Sequence, residues 1–371
     1  MSIGRFPTYE AEERRRRTRP PGVEPVPLSA TPAPALAAHV VGAVAAVLGS
    51  PMKTPPVQGL ALLREALSTE LERTTGRAVD PESEILVTNG AMQALGVCLR
   101  SLLRPGDEVV VPAPCFFFGG PICAAGAVPV YVQGSAVDGW RWDTAALEQA
   151  IGKRTKALLL CNPGNPTGHV PSRQDVAAAV SLAERHGLLV VTDEAYEASL
   201  WEDATLASAF GLGEDVIVIR SLGKSLSMPQ LRIGMLAGPA GRVAECTHTL
   251  EWDCLRVGLA SQEAARAALE GPLDWLHDIY AGLAADRSVA LAAVEATSGL
   301  TTVAPLAAPF LFVGSTLGDG LADQLNAVGL PVVDGSAFQA PGYARLAFGG
   351  AVAASVCLSR ALGRWAEQHA T

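Results

Sequence analysis

Residues 85–103 read ILVTNGAMQALGVCLRSLL, and the change of period inside them decides the fold. Ile85 to Thr88 is an apolar run of strand length, Asn89-Gly90 breaks it, and the residues after Gly90 carry apolar side chains at helical spacing. A strand that turns straight into a helix opens a βα unit, and the pattern recurs downstream. Glu108 to Val111, Val128 to Val132, Ala157 to Leu160, Leu188 to Thr192 and Val216 to Ile219 are further strand candidates. Helix-like stretches separate several of them, such as Arg173 to His186 with Gly187 as its stop. This grammar implies an α/β fold whose large domain is a mostly parallel sheet sandwiched by helices.

Upstream, LALLREALSTELERTT (60–75) has helical spacing and ends near Gly76, and a further helix is expected from about Ala35 to Leu48 in a segment rich in Pro, Arg and Ala. Downstream, a long helical stretch runs from about Gln262 to Ala296. Short strands follow around Phe310 to Val313 and Ala344 to Phe348, then a last helix from about Val352 to Gln368. These read as a smaller α/β domain built from the C-terminal part and the N-terminal segment. The expected division is 1–48 joining the small domain, 49–265 as the large domain and 266–371 as the small one.

Of 371 residues, 49% are hydrophobic and 18% charged, so burial readily offsets chain entropy. The formal net charge of −9 argues against a general affinity for nucleic acid or anionic lipid. The one basic run, Arg14 to Arg17, is either a docking patch or, as we prefer, a solvated helix face. No run has membrane-spanning length, and no apolar stretch follows the early arginines as in a secretory signal. The seven cysteines are odd in number and lack CxxC pairing, so they read as reduced thiols of a cytoplasmic protein, with no metal site expected. Cys115 and Cys161 lie beside the motifs below and could be reactive, although small apolar filler is the preferred reading.

In parallel sheets ligands bind beyond the carboxyl ends of the strands, so the residues there carry the functional reading. After Thr88 come Asn89-Gly90-Ala91-Met92, small residues that let backbone N–H groups approach an anion at a helix start. After Leu160 comes NPGNPTG (162–168), a rigid turn able to present Asn165. After Thr192 come Asp193, Glu194, Ala195 and Tyr196; after Ile219 come Ser221, Leu222, Gly223 and Lys224, with Arg232 eight residues on. Singly, each has an ordinary explanation: a capping Asp, a solvated Lys, a rigid loop. Together they supply an anion nest, an amide, a carboxylate with a phenol, and a lysine with an arginine. Those are the groups that hold an aromatic, phosphorylated aldehyde.

In the order TNGAMQAL, NPGNPTG, DEAYE, SLGKSLSMPQLRIG and GYARLAFG, these motifs resemble the fold-type I, class I/II aminotransferase family from about Leu60 to the C-terminus. The resemblance implies pyridoxal 5′-phosphate (PLP) as cofactor, held by Lys224 as a Schiff base, with Lys224 later moving the substrate Cα proton. It implies that Asp193 pairs with the pyridine nitrogen, and that Asn165 and Tyr196 hydrogen-bond the ring O3′. Ser221, Arg232 and the backbone of Gly90, Ala91 and Met92 would bind the phosphate. Phe116 would stack on the ring, although a simple core role stays open. Arg345 would clamp the substrate α-carboxylate. A homodimer is implied as well.

Three positions depart from the family pattern. Thr54 stands where members carry a tyrosine that reaches the phosphate of the partner subunit, Gln230 replaces a glycine, and VPLSATPAP (26–34) replaces a glycine-rich segment. Counting back nine residues from Gln262, Asp253 matches the position of an arginine that binds distal carboxylates in dicarboxylate-specific relatives; a one-residue gap would bring Trp252 or Cys254 there. An acidic residue at that place would suit a substrate with a cationic distal group, such as an arginine-like amino acid or S-adenosylmethionine. The expected reaction is amino transfer from an L-amino acid to a 2-oxo acid. γ-Elimination, γ-replacement, cyclisation or oxidation on the same scaffold is the alternative. A transcription-regulator sensor domain is disfavoured, because no helix-turn-helix pattern precedes the motifs.

Overall fold

The structure, a computed structural model, describes residues 4–30, 34–51, 54–317 and 320–369. Among the described residues, three helices precede the first strand: α1 (Pro7–Thr18), α2 (Ala38–Leu48) and α3 (Ala61–Thr75). The alternation then runs β1 (Ile85–Thr88), α4 (Ala91–Leu102), β2 (Glu108–Ala113), α5 (Gly119–Ala124), β3 (Val128–Gln133), α6 (Thr144–Ala150), β4 (Thr155–Cys161) and α7 (Arg173–Arg185). It continues through β5 (Leu189–Asp193), β6 (Val216–Arg220), the one-turn α8 (Leu222–Ser225) and β7 (Gly234–Ala237). Two helices follow, α9 (Ala240–Cys254) and α10 (Leu259–Glu270), and then the long α11 (Asp274–Glu295). The chain ends in β8 (Leu300–Thr302), β9 (Phe310–Ser315), α12 (Leu321–Ala327), β10 (Val332–Asp334), β11 (Tyr343–Ala347) and α13 (Ser355–His369).

Local chemistry sets several boundaries. α3 stops at Gly76, whose φ of 74° is open to glycine at little cost. α7 starts in a capping box, with Ser172 and Asp175 each accepting the other's backbone N–H. The helical stretch expected over 262–296 is two helices, because Gly271-Pro272 interrupts it between α10 and α11.

The larger sheet has the order β1-β7-β6-β5-β4-β2-β3. It is parallel except for β7, which runs antiparallel to both β1 and β6. Residues alternate across its faces. Val109, Val111, Leu159, Val191 and Ile217 pack with Leu95 of α4 and Leu250 of α9. Val110, Leu158, Leu160 and Val190 pack with Val176, Ala179 and Val180 of α7. Each such Val, Leu or Ile side chain, fully buried, contributes about 1.5–3 kcal/mol relative to exposure. The smaller sheet, β10-β11-β9-β8, is antiparallel throughout. Leu311, Val313 and Leu346 face the helices on one side of it, packed with Leu358 and Trp365 of α13.

The domain limits expected from the sequence need correction. α1 does pack beside the smaller sheet, where Arg14 pairs with Asp323 of α12 and Asp334 of β10. α2 does not: its Val40 is buried with Leu63 and Leu67 of α3 and Ala264, Ala265 and Ala268 of α10. The boundary near 265 would cut α10, whose apolar face belongs wholly to that cluster. The passage between cores falls inside α11, where Leu276 joins the α10 cluster and Leu283, Ala290 and Val294 join the smaller sheet.

Candidate active site

The six parallel strands end on one edge of the larger sheet, and the loops after five of them line a cavity of about 700 Å³ closed by the smaller sheet. Ala91, Met92, Phe116, Asn165, Asp193, Tyr196, Ser221, Lys224, Arg232 and Arg345 all line it. Gly90 lies just behind: a Cβ added there would sit 2.7 Å from Nη2 of Arg232, and its φ of 85° favours glycine. A Cβ on Gly234 would meet the Ala91 nitrogen at 2.8 Å. Two glycines thus bring the Arg232 guanidinium against the start of α4, where the first backbone N–H groups have no partner within the helix. Cation and helix end together form an anion cradle. Arg232 itself holds a left-handed backbone, φ 48°, which a side chain adopts only where its surroundings enforce it.

Asp193 ends β5, nearly buried, with Oδ1 accepting the Ala195 N–H at 3.0 Å. Burial pushes its carboxyl up to about 6. Lys224 sits in the single turn of α8. Burial, with the Arg345 and Arg232 charges, brings its amine down to about 8, against the pull of Asp193. The Lys224 Nζ lies 5.4 Å from the centroid of the Tyr196 ring. From α11, the Tyr280 hydroxyl donates to the Ser225 carbonyl at 3.0 Å and thereby holds the lysine turn from beneath. Burial raises the Tyr196 hydroxyl above its ordinary range.

Arg345 reaches the cavity from the smaller sheet by strand alternation. Its neighbours Ala344 and Leu346 point into the core, and Arg345 pairs in register with Phe312 on the opposite face. Its guanidinium lies 4.2 Å over Phe310 and 4.8 Å over Phe338, and Nη1 donates to Oδ1 of Asn165 at 2.9 Å. Burial lowers it to about 10, which still leaves it charged at neutral pH. Because Asn165 spends its carbonyl on Arg345, its amide NH₂ is the group left to donate.

One expected residue is not brought in. Asp253, near the end of α9, lies outside the cavity lining, and its carboxylate is paired with Arg100 of α4. A place in the substrate site of its own chain is thereby corrected: α9 packs against α4, and Asp253 is paired there with Arg100. Thr54 and Gln230 are exposed. Of the segment 26–34, Ser29 pairs with Gly349 and Ala30 lines the cavity, while residues 31–33 fall outside the described part. Burial raises Cys161 to about 12 and Cys115 well above the usual thiol range; Cys115 packs in the core, whereas Cys161 lines the cavity.

Sequence reasoning missed Phe6, Thr8 and Tyr9 near the start of α1, together with Phe117 and Phe310. Phe310 could have been found by carrying the alternation of β9 back from Phe312, and Phe117 stands in the run PAPCFFF. Nothing local marks Phe6 or Tyr9, which come from a helix more than a hundred residues away in sequence. Among the described residues, no helix is long and apolar enough to cross a membrane, and no group of three or more His, Cys, Asp or Glu is placed to hold a metal ion.

The donor set fits PLP: a cation and free helix N–H groups for a phosphate, a buried carboxylate for a ring N–H, and a neutralisable amine for an aldehyde. Comparison with known proteins agrees. The family model described as aminotransferase class I and II matches residues 34–356. An aspartate aminotransferase of Geobacillus stearothermophilus is 30% identical over 311 residues, covering 80% of this chain and 79% of that protein. A probable N-succinyldiaminopimelate aminotransferase of Mycobacterium tuberculosis is 34% identical over 250 residues, 65% of this chain and 62% of that one. Among solved structures, an aspartate aminotransferase from Thermus thermophilus with maleate superposes with a TM-score of 0.91 at 28% identity. That match covers 98% of this chain and 97% of the other.

Proposed function

The chain belongs to the class I and II aminotransferases, PLP-dependent transferases, and we propose that it moves the amino group of an L-amino acid to a 2-oxo acid with Lys224 as the residue that engages the cofactor. One observation carries this reading: a buried lysine, a buried aspartate and an arginine from a second sheet meet in one cavity. PLP, when bound, supplies an aldehyde for an amine and a ring that accepts the electron pair left at the substrate Cα. In this proposal the chain's residues do the rest. Asp193 accepts the ring N–H and keeps it protonated. Arg232, Ser221 and the N–H groups at the start of α4 grip the phosphate. The Asn165 amide and Tyr196 hydroxyl hold the ring oxygen, and Phe116 flanks the ring.

Arg345 takes the substrate carboxylate on two parallel N–H donors. Lys224, its amine brought down toward neutrality by burial, would take the proton from the substrate Cα and deliver it to the carbon of the cofactor's aldehyde group, the shift that amino transfer requires. A cationic distal group finds no support in the cleft, because Asp253 is committed to Arg100 outside it. Among the described residues, no contact favours elimination, replacement, cyclisation or oxidation over amino transfer.

A cytoplasmic homodimer completes the proposal. The cysteines of the chain are free, and a second, largely apolar hollow of about 890 Å³ opens beside Phe116 and Phe117 on a face that a second copy would cover. Sedimentation velocity tests the assembly. Borohydride reduction of the PLP-loaded protein should fix the cofactor on the peptide holding Lys224. Amino donor consumed should equal oxo acid formed; a cofactor fixed elsewhere, or oxo acid without an acceptor being aminated, overturns the reading.

A further inference from the structure

We propose that a small polar cavity bounded by the end of α3, the start of α7 and the loop between β5 and β6 is a second anion site, which takes a phosphate group. Thr74, Thr75, Arg77, Arg173, Ser208 and Phe210 are among its lining, and it shares no residue with the active-site cavity. Among the described lining residues the ionisable groups are the two arginines, with no acid beside them. Its volume of about 230 Å³ is below the range of about 300–1,000 Å³ in which drug-sized ligands sit, so it has room for a small oxyanion and not for a whole nucleotide. α3 and α7 pack on the face of the larger sheet opposite α4 and α9. The apolar hollow that a second copy would cover is lined from α4, α5 and β3, so a copy seated there faces the other side of the sheet.

The donors are built in. Arg77 is fixed from two sides: Nη2 donates to Oε1 of Glu84 at 2.6 Å, and the guanidinium lies 4.3 Å from the centroid of the Phe210 ring. About a third of its side chain stays exposed. A Cβ added to Gly211 would lie 3.1 Å from Cδ of Arg77, so the loop closes directly on the arginine's stem. The Gly211 N–H has no acceptor among the described residues. Arg173 is exposed and enters no ion pair among them, which leaves its whole charge to a ligand. Guanidinium forks match the oxygens of a phosphate, and two of them in one concavity make a positive spot on a chain whose formal net charge is −9. The walls are held from within. Ser208 Oγ donates to Oε1 of Glu194 at 2.6 Å, and Thr74 Oγ1 accepts from Nη1 of Arg220 at 3.0 Å, so both hydroxyls lean on the buried Arg220–Glu194 pair. The Ala207 carbonyl accepts the Asn162 amide at 2.7 Å. Three distant segments are thus ordered before any ligand arrives, which lowers the cost of binding.

The test is calorimetric titration of the PLP-loaded protein, in which the cradle beside Arg232 is taken, with inorganic phosphate and with glycerol 3-phosphate. One saturable site with a Kd of about 1 mM or tighter is expected. Arg173→Gln should weaken phosphate at least tenfold, and because that side chain is exposed and unpaired, an unchanged melting temperature and cofactor spectrum will report an intact fold. Arg77→Gln should weaken phosphate by a similar factor. Arg345→Met, in the active-site cavity, should leave phosphate within twofold. Comparable affinity for the two ligands supports recognition of a phosphate group on a larger molecule, and binding of inorganic phosphate alone supports the free ion. No saturable binding, or binding that survives Arg173→Gln and is lost in Arg345→Met, would overturn the assignment. The outcome is independent of whether the protein transfers amino groups.

Discussion

Replacing Asp193 by Asn should stabilise the cofactor-free protein at neutral pH and cripple its grip on the cofactor. In the apoprotein the carboxyl is buried and its pKa is raised from 3.8 to about 6. The folded state then holds the proton more tightly than the unfolded chain. Stability falls as pH rises between those values, and above pH 6 the full penalty for a buried carboxylate is present. A rise of about two units corresponds to roughly 3 kcal/mol at pH 7.5, falling to about 1 kcal/mol at pH 4.5, where the folded carboxyl is mostly protonated already. Asn keeps the oxygen that accepts the Ala195 N–H, so the cap survives. Its NH₂ needs a partner of its own, which trims the gain to about 1–2 kcal/mol at pH 7.5. Urea denaturation of the apoprotein and the variant at both pH values measures this, and the variant's advantage should shrink in acid. PLP affinity, measured by equilibrium dialysis, should fall by at least a hundredfold, because a neutral amide no longer compensates a protonated ring. A variant apoprotein less stable than the parent at pH 7.5, or an advantage that grows on acidification, would refute the reasoning that Asp193 is a destabilised carboxylate awaiting a cation.

Three further outcomes follow from the same geometry. With its amine brought down to about 8, Lys224 is neutral in about one molecule in ten at pH 7, against about one in three thousand for an ordinary lysine. Stopped-flow capture of PLP by the apoprotein should therefore quicken with pH to a plateau with a midpoint near 8, and Arg345→Met, which removes a neighbouring charge, should move that midpoint upward. Gly90→Ala should weaken PLP at least tenfold by equilibrium dialysis, because a Cβ 2.7 Å from Arg232 Nη2 forces the guanidinium off the start of α4. Arg220→Met should destabilise the protein by about 3–5 kcal/mol in urea. The Arg220–Glu194 pair is almost fully buried at 3.1 Å, and the substitution leaves the Glu194 carboxylate without its cation.

How much of this was legible in the sequence depended on range. The strands of the larger sheet and their terminal residues were readable because each is a continuous apolar run broken by its own turn, as at Thr88-Asn89-Gly90. The rule that ligands sit beyond strand ends then gathered Asn165, Asp193 and Lys224 without knowledge of the packing. β7 was not readable as a strand: four residues, GMLA, carry no period, and only the space between β1 and β6 makes them pair. The split between α10 and α11 was available in Gly271-Pro272. The domain to which α2 belongs was not, since Val40 finds Ala264 and Ala265 across more than two hundred residues. Asp253 failed for a related reason. Counting positions aligns a residue with a role but does not say what else stands within reach, and Arg100 lies one helix away.

The link between Arg345 and Asn165 gives the site its logic. The arginine arrives on a strand whose neighbouring residues are locked into the small core, so its position follows that sheet as a body. The asparagine belongs to a rigid loop on the large sheet and accepts the arginine's N–H at 2.9 Å with its carbonyl oxygen. Filling one function of Asn165 thus orients the other: its NH₂ faces away from Arg345, and in the proposed reading toward the cofactor ring. A substrate carboxylate drawn to the guanidinium competes for the N–H donors of a group already bonded to a cofactor ligand. If Arg345 and Asn165 act as proposed, carboxylate binding and cofactor orientation are coupled through one amide. Asn165→Ala should accordingly weaken PLP in equilibrium dialysis while strengthening a simple carboxylate such as succinate at the freed guanidinium, measured by calorimetry, whereas Ser221→Ala, on the phosphate side, should weaken PLP alone.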